Sequence, residues 1–143
     1  MITDEKPKEL LRMSIARAKF CELLTEKPLQ QERVTDAFLV GMFSLLDAVL
    51  DIPMSAIMES VPLSQNIKDS LLGEDGFERQ LLDLAVSYER ANWANTLSLA
   101  KPLGLDSEFL PTAYLEALEW ASQSIDLIGS DSDSAAKKSC WVL

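Results

Sequence analysis

Histidine is absent from the 143 residues, and the two cysteines, Cys21 and Cys140, lie far apart in the sequence. Zinc and catalytic iron sites are built mainly from imidazole and thiolate ligands, and histidine is the commonest general acid or base at neutral pH. Two remote cysteines form neither a tetrahedral metal site nor a disulfide framework. We therefore expect no metal site, no cofactor and no catalytic residue, and we predict that the chain is not an enzyme.

Several other functional patterns are missing as well. No G-x-x-x-x-G-K-[ST], G-x-G-x-x-G or G-x-S-x-G pattern occurs, so nothing supports a phosphate-binding loop or a nucleophile elbow. Lys and Arg number 13 against 23 Asp and Glu, and the formal net charge of -10 disfavours nucleic-acid binding. The sequence has no apolar signal-peptide core and no apolar segment long enough to span a bilayer. These absences predict a cytoplasmic protein without membrane contact.

The composition that remains is typical of one globular helical domain. Hydrophobic residues make up 48% of the chain and charged residues 25%, which is ordinary for a domain of this length. No run alternates with a period of two, whereas apolar residues recur with helical spacing throughout. We predict an all-α fold, a single compact domain of about six helices. The predicted helices lie at about 5–25, 35–50, 54–60, 65–72, 77–100 with a kink near 90–92, and 107–128.

The segment 129–143 is expected to be a flexible polar tail after a helical domain at 1–128, because it has few apolar residues before its last four. Those four residues, Cys140 to Leu143, have the C-a-a-X form that precedes prenylation, and the final leucine specifies geranylgeranyl. Trp141 is a poor residue for the first aliphatic position. Modification of Cys140 is therefore the less favoured alternative.

The longest apolar stretch, Thr35 to Leu50, contains only two ionisable residues, Asp36 and Asp47. Wound into a helix it is apolar on almost all sides, so we predict a buried central helix at about 35–50. Gly41 costs about 1 kcal/mol relative to alanine inside a helix, which suggests that another backbone approaches closely there. Ser44, a lone hydroxyl among apolar residues, is expected to bond to its own backbone.

Four separated motifs carry a resemblance to a known family. They are R-A-K-F-C-E-L-L at 17–24, D-A-F-L-V-G-M-F-S-L-L-D at 36–47, V-P-L-S at 61–64 after Pro53, and S-Y-E-R-A-N-W at 87–93. In this order and spacing they resemble the C-terminal HDOD module of the bacterial EAL–HDOD signal transduction proteins. The resemblance covers most of the chain, from about residue 10 to about residue 124.

The resemblance implies a function that composition alone does not. HDOD modules are similar to HD-type metal phosphohydrolases but lack the metal ligands; the histidine and aspartate of the hydrolase pattern G-L-L-H-D would fall at Ser44 and Leu45. The resemblance therefore implies a non-catalytic signalling module that binds a protein partner or another signalling domain. In full-length relatives an EAL region, which hydrolyses or senses cyclic di-GMP, precedes the module, so we expect this chain to be a C-terminal fragment or a shortened relative. The alternative is a diverged HD-type metal-dependent phosphohydrolase.

Aromatic residues near the predicted kink are the first candidates for a partner-facing surface. Trp93, Trp120 and the segment Tyr88, Glu89, Arg90 combine aromatic rings with an arginine, as the anchor residues of protein interfaces often do. The competing interpretation places both tryptophans in the core, with the tyrosine hydroxyl satisfied by a nearby backbone group.

Two further groups are candidate contacts. Asp47 and Asp51 lie four residues apart near the end of the predicted central helix, where like charges are unfavourable. Either they face a partner or an arginine from another helix neutralises them.

Leu10, Leu11 and Ile15 on the first helix are the candidate contact of a homodimer, which would cover apolar surface left by missing N-terminal neighbours.

Overall fold

Helices account for all the regular structure in the described part of the chain. The computed structural model describes residues 2–26 and 33–131, with side chains at 8–25 and 33–127. The helices are α1 (Ile2–Glu26), α2 (Val34–Phe43), α3 (Leu46–Leu50), α4 (Met54–Ser60), α5 (Gln65–Leu71), α6 (Phe77–Glu89), α7 (Trp93–Ala100) and α8 (Phe109–Asp131), with a 3-10 turn at Lys101–Leu103. The all-α prediction is confirmed. Within the described residues there are eight α-helices instead of the predicted six, because two of the predicted helices are interrupted.

The long helix α1 organises the packing, since it contacts α2, α3, α6 and α8. Its residues Phe20 and Leu24 are fully buried with Leu81 and Leu84 of α6. Full burial of each such side chain contributes roughly 1.5–3 kcal/mol. A second apolar cluster joins α2, α4, α5 and α6, and a third joins α1 to α8.

The predicted central helix exists but is neither continuous nor buried throughout. It breaks between Phe43 and Leu46, and the second piece, α3, has no buried residue; Val49 is 39% exposed and Leu50 49%. At the break the Ser44 hydroxyl donates to the Gly41 carbonyl oxygen at 2.7 Å. A side chain that takes a backbone acceptor in this way competes with the helical hydrogen bonds and bends the helix. The local bond predicted for Ser44 is therefore confirmed, and it lies at the interruption.

Other helix boundaries lie close to the predicted ones and have local causes. Ser64 caps α5 by accepting a hydrogen bond from the Ile67 N–H at 3.3 Å, and Gly73 after that helix has a φ of 101°. The predicted kink near 90–92 is a complete break between α6 and α7, at which Ala91 adopts a φ of 60°.

At the C-terminal end α8 continues to Asp131, past the predicted start of the tail at 129. The remainder of the predicted tail, including Cys140 and its C-a-a-X pattern, lies outside the described residues.

No single helix within 2–26 and 33–131 is long and apolar enough to cross a membrane. The segments 34–50 and 54–60 meet that criterion only when they are taken together across a bend of 113°.

Candidate functional site

A largely buried ion pair joins α1 to the end of α6. Arg17 donates through Nε and Nη2 to the two carboxylate oxygens of Glu89, at 2.9 and 2.6 Å. Arg17 also donates through Nη1 to the Ser44 hydroxyl at 3.0 Å. The Arg17 side chain is 8% exposed and that of Glu89 16%. Because a guanidinium and a carboxylate match in this two-pronged geometry, the pair fixes α1, α6 and the α2–α3 break in one arrangement.

Glu89 therefore has a different position from the one predicted, since its carboxylate pairs inside the domain. Arg90, the next residue, is exposed. The two neighbours in the predicted partner-facing segment thus have different surroundings, because successive residues on a helix point about 100° apart.

Tyr88 is the centre of an aromatic cluster. Its ring lies 5.5 Å from Phe20, 4.9 Å from Tyr114 and 5.2 Å from Trp93, measured between centroids. Trp93, at the start of α7, meets Tyr88 edge-on at 74° and leaves 55% of its surface exposed. The cluster therefore runs from the core to the surface, with Trp93 at its outer end.

The outer part of the cluster borders an apolar groove of about 230 Å³, which we call the Trp93 groove. It is lined by Tyr88, Trp93, Thr96, Leu97, Ser107, Leu110 and Pro111. Leu97 on its rim is 53% exposed. A concave apolar surface with a rigid aromatic edge is suited to receive a side chain of another protein domain.

Tyr114 belongs to the cluster but was not among the predicted site residues. Burial raises the pKa of its phenol, and the negative charge of Glu89 raises it further. Only the packing of α8 on α1 brings Tyr114 to Tyr88, and no local pattern around Tyr114 indicates this contact.

Trp120 occupies a separate position on α8. Its ring meets that of Phe38 edge-on at a centroid distance of 5.9 Å, and Lys19 Nζ lies 5.2 Å from the ring centre. The two predicted tryptophans therefore do not form one surface, and Trp120 acts as a packing residue between α8 and α2.

Asp47 lies in the first turn of α3, and Asp51 directly follows the last residue of that helix. Asp47 Oδ1 accepts from the Ala48 N–H at 2.9 Å, and Asp51 closes α3 with a left-handed φ of 59°. None of the ion pairs among the described side chains includes either aspartate. The predicted neutralising arginine is not found in this part of the chain.

The three candidate dimer residues differ in exposure. Leu11 is 39% exposed and Leu10 is half-buried, but Ile15 is only 5% exposed because Ala121 and Ile125 of α8 cover it. Ile15 is thus not a surface residue of this fold. The homodimer itself stays a prediction.

Cys21 lies in the main apolar core with Phe20 and Leu84, and its reactivity tests how tightly that core is packed. Burial raises the pKa of its thiol to about 12, although the charge of Arg17 opposes the rise. At pH 8 only about one thiol in ten thousand is then ionised, and the thiolate is the reactive form. In a Cys140→Ser variant we expect a disulfide reagent to label Cys21 no faster than the domain unfolds. Labelling within seconds in native buffer, at the rate seen in denaturant, would contradict this packing.

Among the described residues, no group of three or more His, Cys, Asp and Glu side chains is arranged to hold a metal ion.

Two curated proteins are similar to the chain over most of its length. The cyclic di-GMP phosphodiesterase CdgJ of Vibrio cholerae serotype O1 is 38% identical over 125 residues, which are 87% of this chain and 29% of CdgJ. The uncharacterized protein YuxH of Bacillus subtilis strain 168 is 36% identical over 118 residues, which are 82% of this chain and 28% of YuxH. The chain spans less than a third of either relative. No family model and no solved structure matches it significantly.

These matches confirm one prediction and correct another. The predicted similarity to cyclic di-GMP signalling proteins is confirmed by the match to CdgJ. The prediction that the chain is not an enzyme is wrong, because that relative is named a phosphodiesterase and this points to enzymatic activity. The absence of histidine was a poor guide here, because carboxylates also serve as general acids, general bases and metal ligands. The HDOD assignment is not tested by either match and stays a prediction.

Proposed function

We propose that this chain is an HDOD-like helical module of cyclic di-GMP signalling, which contacts another domain of a phosphodiesterase and sets its activity. The observation that carries the proposal is the match to CdgJ. In that match 87% of this chain aligns with 29% of a protein named a cyclic di-GMP phosphodiesterase. A cytoplasmic location and a contact with a neighbouring signalling domain are part of the same proposal.

The Trp93 groove is the surface that we assign to this contact. Trp93 and Leu97 are each more than half exposed, although both are large apolar residues. Exposed aromatic residues beside a pocket are frequent energetic centres of protein interfaces. The groove therefore offers the chemistry that an apolar side chain of a neighbouring domain requires.

The start of α7 is held rigidly, which favours binding. Asn92 caps the helix by accepting from the Asn95 N–H at 3.3 Å, and the Thr96 hydroxyl donates to the Asn92 carbonyl oxygen at 2.8 Å. Ser87 and Thr96 share a further hydroxyl hydrogen bond at 3.0 Å. A surface already fixed in one conformation loses little entropy when a partner binds.

The proposal is tested in a chimaera in which this chain replaces the matching segment of CdgJ. We expect the chimaera to hydrolyse cyclic di-GMP. The double substitution Trp93→Ala and Leu97→Ser should change the rate at least about fivefold, since a lost anchor residue typically costs more than about 1 kcal/mol of contact energy. The measurement is the rate of release of the linear dinucleotide.

The control is Leu72→Ser, which replaces another exposed leucine, 48% exposed, outside the Trp93 groove. It should leave the rate unchanged. The proposal fails if the chimaera does not hydrolyse cyclic di-GMP, or if the groove and control variants have the same rate while their melting temperatures match the parent.

A further inference from the structure

A second concave surface, separate from the Trp93 groove, lies where α6, α7 and the middle of α1 meet. Its volume is about 580 Å³. Its lining includes Arg17, Arg79, Asp83, Arg90 and Asn95. We call it the arginine cleft. Its volume is in the range of small-molecule sites, which is roughly 300–1,000 Å³.

The charge of the arginine cleft is opposite to that of the whole chain. Three arginines and one aspartate line it, and with the Glu89 carboxylate that pairs with Arg17 the local charge is +1, while the chain carries -10. Glu89, the partner of Arg17, does not line the cleft but a different pocket with Arg12 and Tyr114. A positive cleft in an acidic protein is a local attraction for anions that the surrounding surface repels.

Arg17 is fixed in position before any ligand arrives. Three of the five N–H groups of a guanidinium are used by Glu89 and Ser44, at 2.6 to 3.0 Å. The side chain is 8% exposed and still forms part of the cleft wall. A guanidinium held in this way keeps its charge and remaining donors in place for an anion.

The other two arginines differ in how firmly they are held. Arg79 pairs with Asp83 at 3.1 Å and donates to the Ser70 carbonyl oxygen at 3.1 Å. Arg90 is exposed and has no partner in the hydrogen bonds and ion pairs found among the described side chains. Arg90 is thus free to turn toward a ligand in the cleft.

The lining combines these charges with apolar surface. Leu82, Val86 and Leu99 provide apolar wall, and Asn95 provides an amide beside them, donating to the Ser87 hydroxyl at 3.1 Å. Arginine forks match phosphate oxygens, and an apolar wall accepts the flat face of a base. We propose that the arginine cleft binds a nucleotide through its phosphate group, with Arg17 and Arg90 as the phosphate ligands. This inference needs no part of the Trp93 groove and stands independently of the proposed function.

The test is isothermal titration calorimetry of the 143-residue chain at physiological salt. The probes are cyclic di-GMP, its linear dinucleotide product, GMP and inorganic phosphate. We expect at least one nucleotide to bind at a single site, with inorganic phosphate as a weaker competitor. Tightest binding of cyclic di-GMP would indicate that the cleft recognises an internal phosphodiester. Tightest binding of GMP would indicate that it recognises a terminal phosphate.

Arg90→Gln should weaken that binding by about ten- to hundredfold, as expected for a lost hydrogen bond to a charged group. Asn95→Asp, which adds a negative charge without removing an arginine, should also weaken it. Lys101→Gln is the matched control, because it removes an exposed positive charge that does not line the cleft. Melting temperatures confirm that each variant is folded.

Three results would overturn the proposal. One is the absence of binding for all three nucleotides at millimolar concentration. Another is equal weakening by Arg90→Gln and Lys101→Gln, which would indicate a general charge effect. The last is unchanged binding in both Arg90→Gln and Asn95→Asp, which would place the ligand elsewhere.

Discussion

Replacing Gly41 by leucine is expected to destabilise the domain by several kcal/mol. A Cβ atom at this position would lie 2.7 Å from the Ala18 Cα and 2.8 Å from the Arg17 carbonyl oxygen. Both are backbone atoms of α1, which cannot move aside as a flexible side chain does. Overpacking of a core typically costs about 1–3 kcal/mol and sometimes more, and here α2 must separate from the helix that organises the fold.

Gly41→Ala is the sharper form of this experiment. Alanine gains about 1 kcal/mol over glycine in helix propensity, so a net loss of stability would show that the close approach of α1 outweighs that gain. Denaturant midpoints measure the effect. Gly76→Ser is the control, because a Cβ at Gly76 meets nothing within 4 Å and the φ of 168° is ordinary extended backbone. If Gly41→Leu and Gly76→Ser have the same midpoint, the packing of α2 on α1 is not as described.

Breaking the Arg17–Glu89 pair is the second substitution with a large expected effect. Glu89→Leu leaves the buried guanidinium of Arg17 without its countercharge. Removing one partner of a buried ion pair typically costs about 3–5 kcal/mol. We expect a lower denaturant midpoint of that size, measured by helical circular dichroism at neutral pH.

A double-mutant cycle separates this loss from a simple packing defect. Arg17→Met with Glu89→Leu should recover a large part of the stability, since an apolar pair carries no unpaired charge. Glu9→Leu is the surface control, because Glu9 is 66% exposed and pairs with Arg12 only at 3.8 Å. Its effect should stay below about 1 kcal/mol. A double variant as unstable as the sum of the two single variants would contradict a coupled pair.

Local sequence determined the helical class and most of its boundaries. Helical spacing of apolar residues predicted the elements and their approximate bounds. Local features such as the Ser64 cap at the start of α5 and the left-handed Gly73 after it set where that helix begins and ends. The close approach at Gly41 was also predictable, because a glycine inside an apolar helix has a cost that packing must offset. Helical spacing and caps depend on interactions within a few residues of one another, whereas Gly41 indicated only that some backbone approaches, and the structure identified it as that of α1.

Only the tertiary structure decided which of the singled-out side chains meet. Arg17 and Glu89 are 72 positions apart, and their pairing removes Glu89 from the predicted surface. The burial of Ile15 beneath α8, and the entry of Tyr114 into the aromatic cluster, likewise depend on how α8 lies on α1. The break at Ser44 has both a local and a tertiary component. The Ser44 hydroxyl donates to the Gly41 carbonyl oxygen in its own segment, and it accepts from Arg17 Nη1 of another helix. Helical periodicity specifies which face of a helix is apolar, but the partner of each side chain on that face is set by the crossing of two helices, which no segment encodes alone.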